Sequence, residues 1–488
     1  MQLTAGQQAA FDLLAPIFRG DQPGARAVLT GFAGSGKTTL TARLIQLAAA
    51  IPGALGKRGQ RGKWETPPTV VIAAPTHKAA RQLERSLAGW GLEDAKATTL
   101  HSALGMRLVR EGGTEVFKSD PKANRLIGAT TRLVVVDEAS MISAALVALL
   151  EAALPPDAAL VAIGDPAQLP PVDDPAPSPL FKAPIHEHLD QVMRHGGPIL
   201  QLATATRELG TGRPAFVSRQ AADSKVVAYE YFNAWKRQAI RACIEAHRRG
   251  DNDLARVLCW TNNAADRFNR DAHAAIYGPD AAPYVVGQPV VSDAVILRPD
   301  GQPLVGSTCE MQLLDVALDG GAIAGDELQE VREALLGKRR TKKGEMLPPW
   351  AWWQIEARLA GRYGRTVNFR VLSPGCEAEW RKAINAIYAL AKAAKEAGQD
   401  AMAKELWQIF WRRKDGFGAI NPVHAMTVHK SQGSTFNHVF LHPDTSRNAD
   451  LSEMNQLVYV GITRASEGLH VVAGPALPLA AASDEIEV

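Results

Sequence analysis

Residues Gly31 to Thr38 read GFAGSGKT and carry groups suited to binding a polyphosphate. The pattern is G-x-x-x-x-G-K-[ST], with Gly31, Gly36, Lys37 and Thr38 at its fixed positions. Glycines let backbone N–H groups turn toward phosphate oxygens, the lysine can reach the β- and γ-phosphates, and the threonine hydroxyl can hold Mg²⁺. The pattern predicts an ATP site with further ligands at Ala33, Gly34, Ser35 and Thr39. A chance glycine loop is the alternative.

The residues around this loop favour the nucleotide site over a chance loop. Apolar residues 27–30 before it predict a buried strand, and residues 39–45 after it predict a helix, which is the context that the motif needs. Further along, Asp137 and Glu138 follow the apolar run 133–136. Asp137 would hold Mg²⁺ through water, and Glu138 would orient or deprotonate the attacking water. Together these residues predict hydrolysis of ATP.

The elements that must position these residues read as a parallel α/β fold. Apolar strands are predicted at 70–74, 133–136 and 159–163, each followed by polar residues and separated by helical stretches. A second α/β unit begins near residue 200, with a strand at 257–260 and its partners much later, at 438–441 and 469–472. Residues 284–422 therefore interrupt this second unit.

Two insertions are predicted from pattern. Residues 107–118 alternate around Gly112-Gly113, which indicates a β-hairpin, so an insertion spans 105–125. Residues 284–374 contain short β-like runs and predict a small barrel, whereas 375–422 are alanine-rich with helical periodicity and predict a helical hairpin. The basic, glycine-rich loop 56–63 is expected to be a mobile surface loop, 170–184 an extended linker, and 477–488 a disordered tail.

The composition is that of an ordinary globular protein. The 488 residues are 46% hydrophobic and 22% charged, with a formal net charge of +3, which permits nucleic-acid binding without indicating it. No long apolar run predicts a membrane span, and the N-terminus lacks the features of a secretory signal. The four cysteines lie far apart, which disfavours zinc and a disulfide framework. We expect a cytoplasmic protein without membrane contact.

Beyond the phosphate loop, further segments resemble known motifs in a fixed order. They are LTAGQQAAF (3–11), APTHKAA (74–80), TTLHSAL (98–104), DEAS (137–140), GDPAQLPPV (164–172), QVMRH (191–195), TVHKSQGSTF (427–436) and LVYVGITRA (457–465). Together with the phosphate loop they resemble the superfamily-one helicases of the Dda/RecD-like branch. The resemblance implies two RecA-like motor domains: residues 1–199 form the first, and residues 200–283 with 423–476 form the second.

The resemblance also implies roles for individual residues in ATP hydrolysis. Gln7 would read the adenine edge, with a buried polar helix residue as the alternative, and Gln168 would sense the γ-phosphate and couple it to DNA. Arg194 and Arg464 resemble arginine fingers, although His195 stands where the family has glutamine. Gly433 would lie beside the nucleotide.

The nucleic-acid contacts implied by the resemblance come from strand ends. Hydroxyls, imidazoles and lysines there suit a phosphate backbone; the residues are Thr76, His77, Lys78, His101, Thr427, His429 and Lys430. The hairpin occupies the place of a strand-separating pin, so Phe117 could be a wedge at the fork or could pack the hairpin onto its own domain. Trp407 and Trp411 lie on one helix face and could stack on bases or be buried in the helical hairpin. Trp350, Trp352 and Trp353 are predicted to be core residues.

The sequence thus predicts an ATP-dependent motor that moves 5′→3′ on single-stranded DNA and unwinds forked duplex, with Mg²⁺ as cofactor. Two alternatives stay open: a translocase that displaces proteins with little unwinding, and an ATP-gated DNA-binding switch without efficient hydrolysis. An RNA motor is also compatible with backbone contacts. We expect a monomer that meets a single-strand-binding or replication protein.

Overall fold

The computed structural model describes residues 3–58, 64–120, 125–171, 174, 176–192, 197–298, 301–319, 351–360 and 364–473. Arg194, Trp350 and the predicted tail 477–488 lie outside these residues. The chain divides into two compact units. The first comprises Met1–Gly105, Asn124–Ile276 and His424–Val488, and the second comprises Met106–Ala123 and Tyr277–Val423.

The described helices and strands are as follows. The helices are α1 (Ala5–Arg19), α2 (Lys37–Ala49), α3 (His77–Ala88), α4 (Leu100–Ala103), α5 (Ala144–Ala153), α6 (Gly197–Glu208), α7 (Phe232–Arg249), α8 (Asn262–Tyr277), α9 (Glu377–Glu396), α10 (Asp400–Lys414), α11 (Val428–Ser431) and α12 (Leu451–Ile462). The strands are β1 (Arg26–Gly31), β2 (Lys57–Arg58), β3 (Trp64–Thr66), β4 (Val70–Ala74), β5 (Ala97–Thr99), β6 (Met106–Glu111), β7 (Thr114–Ser119), β8 (Leu133–Val136), β9 (Ala159–Gly164), β10 (Ile185–Leu189), β11 (Arg219–Gln220), β12 (Lys225–Tyr229), β13 (Ala255–Cys259), β14 (Pro289–Ser292), β15 (Ile296–Leu297), β16 (Pro303–Val305), β17 (Glu310–Asp319), β18 (Trp352–Leu359), β19 (Thr366–Leu372), β20 (Ile420–Pro422), β21 (Ala425–Thr427), β22 (Phe436–Leu441) and β23 (Ala465–Val472).

The first sheet of the first unit is parallel throughout, in the order β10-β1-β9-β8-β4-β5. Its central strands are buried along their whole length, as expected when helices cover both faces. Because the strands run in one direction, the residues after β1, β4, β8 and β9 meet at one edge of the sheet. The predicted parallel α/β class is confirmed, and the predicted strands at 70–74 and 133–136 have the observed bounds.

The second sheet has the order β11-β12-β23-β22-β13-β21, with only the short β11 antiparallel among its described strands. It combines strands from before and after the large insertion, as the sequence predicts. Its core includes apolar residues of α6 and α12. No described helix is both long enough and apolar enough to cross a bilayer.

Three segments differ from the sequence predictions or were not predicted. Residues 56–63 were predicted to be a mobile surface loop, but Lys57–Arg58 form β2, which pairs with β3 as a short antiparallel ribbon. Residues 59–63 lie outside the described part. Strand β10 follows the proline-rich linker, and its residues IHEHL give no apolar run because the strand lies at the edge of the sheet. Strand β12 was also not predicted.

The second unit contains a five-stranded antiparallel sheet of order β19-β18-β17-β14-β20, the β15–β16 hairpin and the helical pair α9–α10. Helices α9 and α10 lie within the range predicted to form a helical hairpin, and Trp352 and Trp353 are buried as predicted; the barrel stays a prediction. Strands β6 and β7 pair around Gly112-Gly113, where the sequence predicts a hairpin, and the bounds of both insertions stay predictions. In the chain, this hairpin lies between β5 and β8 of the first sheet, but it belongs to the second unit.

Candidate nucleotide site and nucleic-acid contacts

The glycine loop links the end of β1 at Gly31 to the start of α2 at Lys37. Gly34 and Gly36 both have a φ of 85°, a conformation that side chains with a Cβ rarely adopt. A Cβ on Gly36 would also lie 2.3 Å from Gln7 Nε2. The fixed glycine is therefore required by the backbone conformation and by the packing of α1 against the loop.

Two polar side chains hold the loop in place. Lys37 Nζ donates to the carbonyl oxygens of Gly31 at 2.6 Å and Phe32 at 2.9 Å. Gln7 Oε1 accepts the Thr4 N–H at 3.1 Å, and Gln7 Nε2 donates to the Ser35 carbonyl at 3.0 Å. The Gln7 amide thus joins the capping box of α1 to the phosphate loop. Its predicted contact with adenine stays a prediction.

Asp137 and Glu138 follow β8, which is separated from β1 by β9 alone. Burial raises the pKa of Asp137 to about 7, the charge of Glu138 adds to the rise, and Lys37 opposes it. Glu138 has a φ of 52°, which costs a non-glycine residue on the order of 1–3 kcal/mol and is typical of functional sites. A buried carboxylate of this kind favours a bound cation.

Two buried polar atoms in this region have no hydrogen-bond partner among the described residues: the Ser35 hydroxyl and the Gln168 amide oxygen. Buried polar groups are normally paired, so their presence beside the glycine loop and after β9 fits a site that a polar ligand completes. ATP with Mg²⁺ suits this pair, because the Ser35 hydroxyl can donate to a phosphate oxygen and the Gln168 amide oxygen can accept a hydrogen bond from a bound water. Thr38 and Asp137 are the residues that would hold the metal.

Residues of α6 and α12, the helices that pack on the second sheet, contact the phosphate loop; they were not predicted as site residues. The Tyr459 hydroxyl on α12 donates to Asp165 Oδ2 at 2.8 Å and accepts the Ala33 N–H at 3.4 Å. The Arg207 guanidinium on α6 lies 3.5 Å from the centroid of the Phe32 ring. Asp165 is fully buried, so Tyr459 joins it to the loop without intervening solvent. Tyr459 lies within LVYVGITRA, but the sequence does not show what its hydroxyl contacts.

The segment after β9 also connects the two sheets. Leu169 is buried in the core of the second sheet, and Ala167 packs against that core. Gln168 lies between them in the chain and is itself buried. A change in the position of the second sheet would therefore be transmitted to Gln168.

Arg464 is nearly fully buried at the end of α12. Its guanidinium donates to the Val460 carbonyl at 3.1 Å, the Ser434 carbonyl at 3.3 Å and the Thr463 hydroxyl at 3.0 Å. Gly433 lies in the same region, and a Cβ there would approach Gln82 of α3 to 3.2 Å. The arginine-finger role of Arg464 stays a prediction, as does that of Arg194.

The predicted nucleic-acid residues lie after β4, β5 and β21. Thr76 and Thr427 are the N-caps of α3 and α11, so each hydroxyl oxygen accepts a backbone N–H. Lys78 Nζ donates to the Lys430 carbonyl at 3.0 Å, which joins the APTHKAA and TVHKSQGSTF segments.

Of the other predicted contacts near these strand ends, His101, His429 and Lys430 lie on the four-residue helices α4 and α11. Lys430 Nζ donates to Asn262 Oδ1 at 3.3 Å. Burial lowers the pKa of His101 and of His429, which favours neutral imidazoles near neutral pH. His77 begins α3 and is exposed. Their contacts with a strand stay predictions.

The tip of the β6–β7 hairpin is docked on the helical pair of the second unit. Trp411 Nε1 donates to the Gly112 carbonyl at 2.8 Å, and Arg110 forms an ion pair with Asp415. A Cβ on Gly113 would lie 2.0 Å from Tyr388, so this close approach requires glycine. The hairpin is therefore held at its turn by aromatic packing and hydrogen bonding.

This docking bears on one of the predicted base contacts. Trp411 is only 6% exposed, with the Arg110 guanidinium 4.6 Å and Lys414 Nζ 4.4 Å from its ring centroid. The burial of Trp411 agrees with the alternative interpretation, a tryptophan buried in the helical hairpin, and its stacking on bases stays a prediction. Trp407 is half-buried against Tyr388, Phe410 and Gly112. Phe117 is 47% exposed and pairs with Leu108 away from the turn, so its wedge role stays a prediction.

Comparison with known families finds two matches. Residues 2–230 match the family described as AAA domain, and residues 422–472 match the UvrD-like helicase C-terminal domain. The two matches include the phosphate loop, Asp137-Glu138 and Gln168 on one side and Arg464 on the other. The first match contains all strands of the first sheet, and the second match contains β21, β22 and β23 of the second sheet.

Individual relatives agree with these families. The chain is 26% identical over 483 residues to ATP-dependent DNA helicase dda of Enterobacteria phage T4, covering 95% of this chain and 97% of the relative. It is 35% identical over 179 residues to ATP-dependent RecD2 DNA helicase of Deinococcus radiodurans, covering 36% of this chain and 21% of that protein. The Pif1 helicase structure from Candida albicans aligns over 99% of this chain and 97% of that one, with 17% identity and a TM-score of 0.48. The ordered motifs, the two family matches and the full-length similarity to dda together show that the chain resembles the superfamily-one helicases of the Dda/RecD-like branch.

Proposed function

We propose that the protein is an ATP-dependent DNA helicase that moves 5′→3′ along single-stranded DNA and separates the strands of a fork. One observation carries the proposal: the phosphate loop, Asp137-Glu138 and Gln168 meet at one sheet edge, and Tyr459 of the second sheet contacts that edge directly. The names of the relatives, ATP-dependent DNA helicase dda and ATP-dependent RecD2 DNA helicase, support the activity.

In the proposed reaction, Glu138 orients the attacking water and accepts its proton, because it follows β8 at the same sheet edge as the loop that would hold the γ-phosphate. Lys37 leaves the carbonyls of Gly31 and Phe32 to neutralise the phosphates. Mg²⁺, when bound by Thr38 and Asp137, neutralises charge on the β- and γ-phosphates. Arg464 contributes a fixed cation from the second sheet, and Arg194 from the first motor domain.

Movement follows from contacts between the sheets. Tyr459, Arg207 and Leu169 connect the phosphate loop and the segment after β9 to the second sheet. Loss of the γ-phosphate would change these contacts and shift the two sheets, which hold one strand through the predicted groups at Thr76, His101 and His429. Alternating grip by the two sheets would move a monomer along the strand.

Strand separation is assigned to the β6–β7 hairpin. A wedge must resist the load of the duplex, and the docked turn at Gly112-Gly113 supplies the rigidity. Phe117, exposed on this hairpin, would contact the last base pair. We propose that the substrates are single-stranded and forked DNA, and that a single-strand-binding protein accompanies the helicase.

The test compares ATP hydrolysis and fork unwinding in the same reactions for the wild type and Lys37→Ala, with Lys57→Ala as a matched lysine change on the surface. Both activities should be stimulated by single-stranded DNA and lost only in Lys37→Ala. Fast hydrolysis without strand separation would indicate the translocase instead. ATP binding with negligible hydrolysis would indicate the nucleotide-gated switch.

A further inference from the structure

A large groove lies within the second unit, apart from the residues assigned to ATP and from the strand contacts predicted in the first unit; Trp407 and Trp411 are among its lining residues. Its volume is about 1760 Å³, well above the roughly 300–1,000 Å³ of a small-molecule site. It is bounded by the tip of the β6–β7 hairpin, the β15–β16 hairpin, one face of β18 and β19, and helices α9 and α10. A groove of this size fits a polymer better than a metabolite.

The groove is strongly basic. Among the described residues that line it, eight are lysine or arginine and three are aspartate or glutamate. Each of these three carboxylates pairs with a cation of the groove itself: Glu396 with Lys392, Asp400 with Lys395, and Asp415 with Arg110. With eight cations and three carboxylates, the described lining carries excess positive charge.

One wall presents its polar groups in a row. Lys404, Gln408 and Arg412 on α10 are all exposed and line the groove. They are spaced i, i+4 and i+8, which puts them on one helix face over about 12 Å. Arg298, exposed at the end of β15, lines the groove from the sheet side. Cations and an amide in this arrangement suit successive phosphates of a nucleic-acid backbone.

We propose that this groove binds the strand that is displaced at the fork, through its phosphates. The proposal rests on the proposed function, because Arg110 and Gly112 of the separating hairpin themselves line the groove. A strand excluded by that hairpin meets the basic wall next. The strand gripped by the motor has its own predicted contacts in the first unit, so the groove is available to the other strand. Few aromatic faces are exposed there, so the contact is to the backbone and is independent of base sequence.

The test measures equilibrium binding to two forks without ATP, by fluorescence anisotropy over a range of salt concentrations. Both forks have the same duplex and 5′ single-stranded arm. One has a DNA 3′ arm, and the other has an uncharged morpholino 3′ arm of the same sequence. The wild type is compared with the double variant Arg298→Glu/Lys404→Glu. Arg381→Glu, an exposed arginine of α9 outside the groove, is the matched charge reversal.

The wild type and Arg381→Glu should bind the DNA-armed fork about tenfold more tightly than the morpholino-armed fork at low salt. The double variant should lose this preference, and its salt slope on the DNA-armed fork should be shallower by about 1–2. Its affinity for the morpholino-armed fork and for single-stranded DNA should equal that of the wild type. This equality also establishes that the variant is folded.

Three results would overturn the proposal. An unchanged preference in the double variant would show that the groove does not hold the displaced arm. If the double variant bound both forks equally weakly and also bound a lone single strand more weakly, the groove would hold the gripped strand. If it bound both forks equally weakly but bound a single strand normally, the groove would hold the duplex. Because the experiment contains no ATP, a failure of the helicase activity would appear separately, as wild-type protein that does not unwind.

Discussion

The hydroxyl of Tyr459 provides the most direct test of how the two sheets communicate. Tyr459→Phe keeps the buried ring but removes the hydrogen bond to Asp165 at 2.8 Å and the acceptor for Ala33 N–H. Asp165 is fully buried, and its other side-chain hydrogen bond in the described structure is the one it accepts from the Ala167 N–H at 3.0 Å. Losing a hydrogen bond to a charged group costs about 1.5–3 kcal/mol. If this contact is needed in the hydrolysing arrangement, kcat should fall by about 10- to 150-fold.

The assay is DNA-stimulated release of phosphate at saturating ATP and single-stranded DNA, with nucleotide affinity measured alongside. Tyr231→Phe, which removes a hydroxyl from an exposed side chain, is the matched control and should keep wild-type kcat. A Tyr459→Phe protein with kcat within twofold of the wild type would refute the assigned role. A loss of nucleotide affinity with normal kcat would place the effect of the hydroxyl in the phosphate loop alone.

Three further variants separate the parts of the proposed motor. Glu138→Gln should bind ATP normally but hydrolyse it at least about 100-fold more slowly, as measured by nucleotide fluorescence and phosphate release; normal hydrolysis would remove Glu138 as the base. Phe117→Ala should slow fork unwinding while leaving DNA-stimulated hydrolysis nearly intact, and equal loss of both, or no loss, would dismiss the wedge. Trp411→Ala removes the hydrogen bond to Gly112 and the packing of Arg110, so unwinding should fall several-fold with hydrolysis retained; Trp411→Phe should recover part of it, and normal unwinding by Trp411→Ala would show that the docked turn is dispensable.

The edge of the first sheet that holds the proposed site was predictable because its signals are local. Strands β4 and β8 are continuous apolar runs in a sheet covered on both faces, and each is followed at once by residues to which the sequence assigns a role in binding or hydrolysis. The glycines of the phosphate loop likewise indicate a backbone with positive φ, which residues with a Cβ rarely adopt. Such features depend on a few adjacent residues.

The features that were not predicted depend on tertiary partners. Strand β10 lies at an edge of the sheet, so only part of it is buried and its sequence alternates without an apolar run. The spacing of Trp407 and Trp411 shows that they share a helix face, but it does not reveal that the β6–β7 hairpin covers Trp411. The partners of Tyr459 are 294 and 426 residues away in sequence, and no local pattern connects them.

The central claim is that ATP hydrolysis at the edge of the first sheet drives movement in one direction along a strand. The measurement that tests it most directly is unwinding of two partial duplexes of the same sequence, one with a 5′ single-stranded tail and one with a 3′ tail, in ATP and Mg²⁺. Unwinding only from the 5′ tail, absent in Lys37→Ala, is the predicted result. Unwinding only from the 3′ tail would contradict the assigned polarity, and strand separation by Lys37→Ala at the wild-type rate would contradict the motor itself.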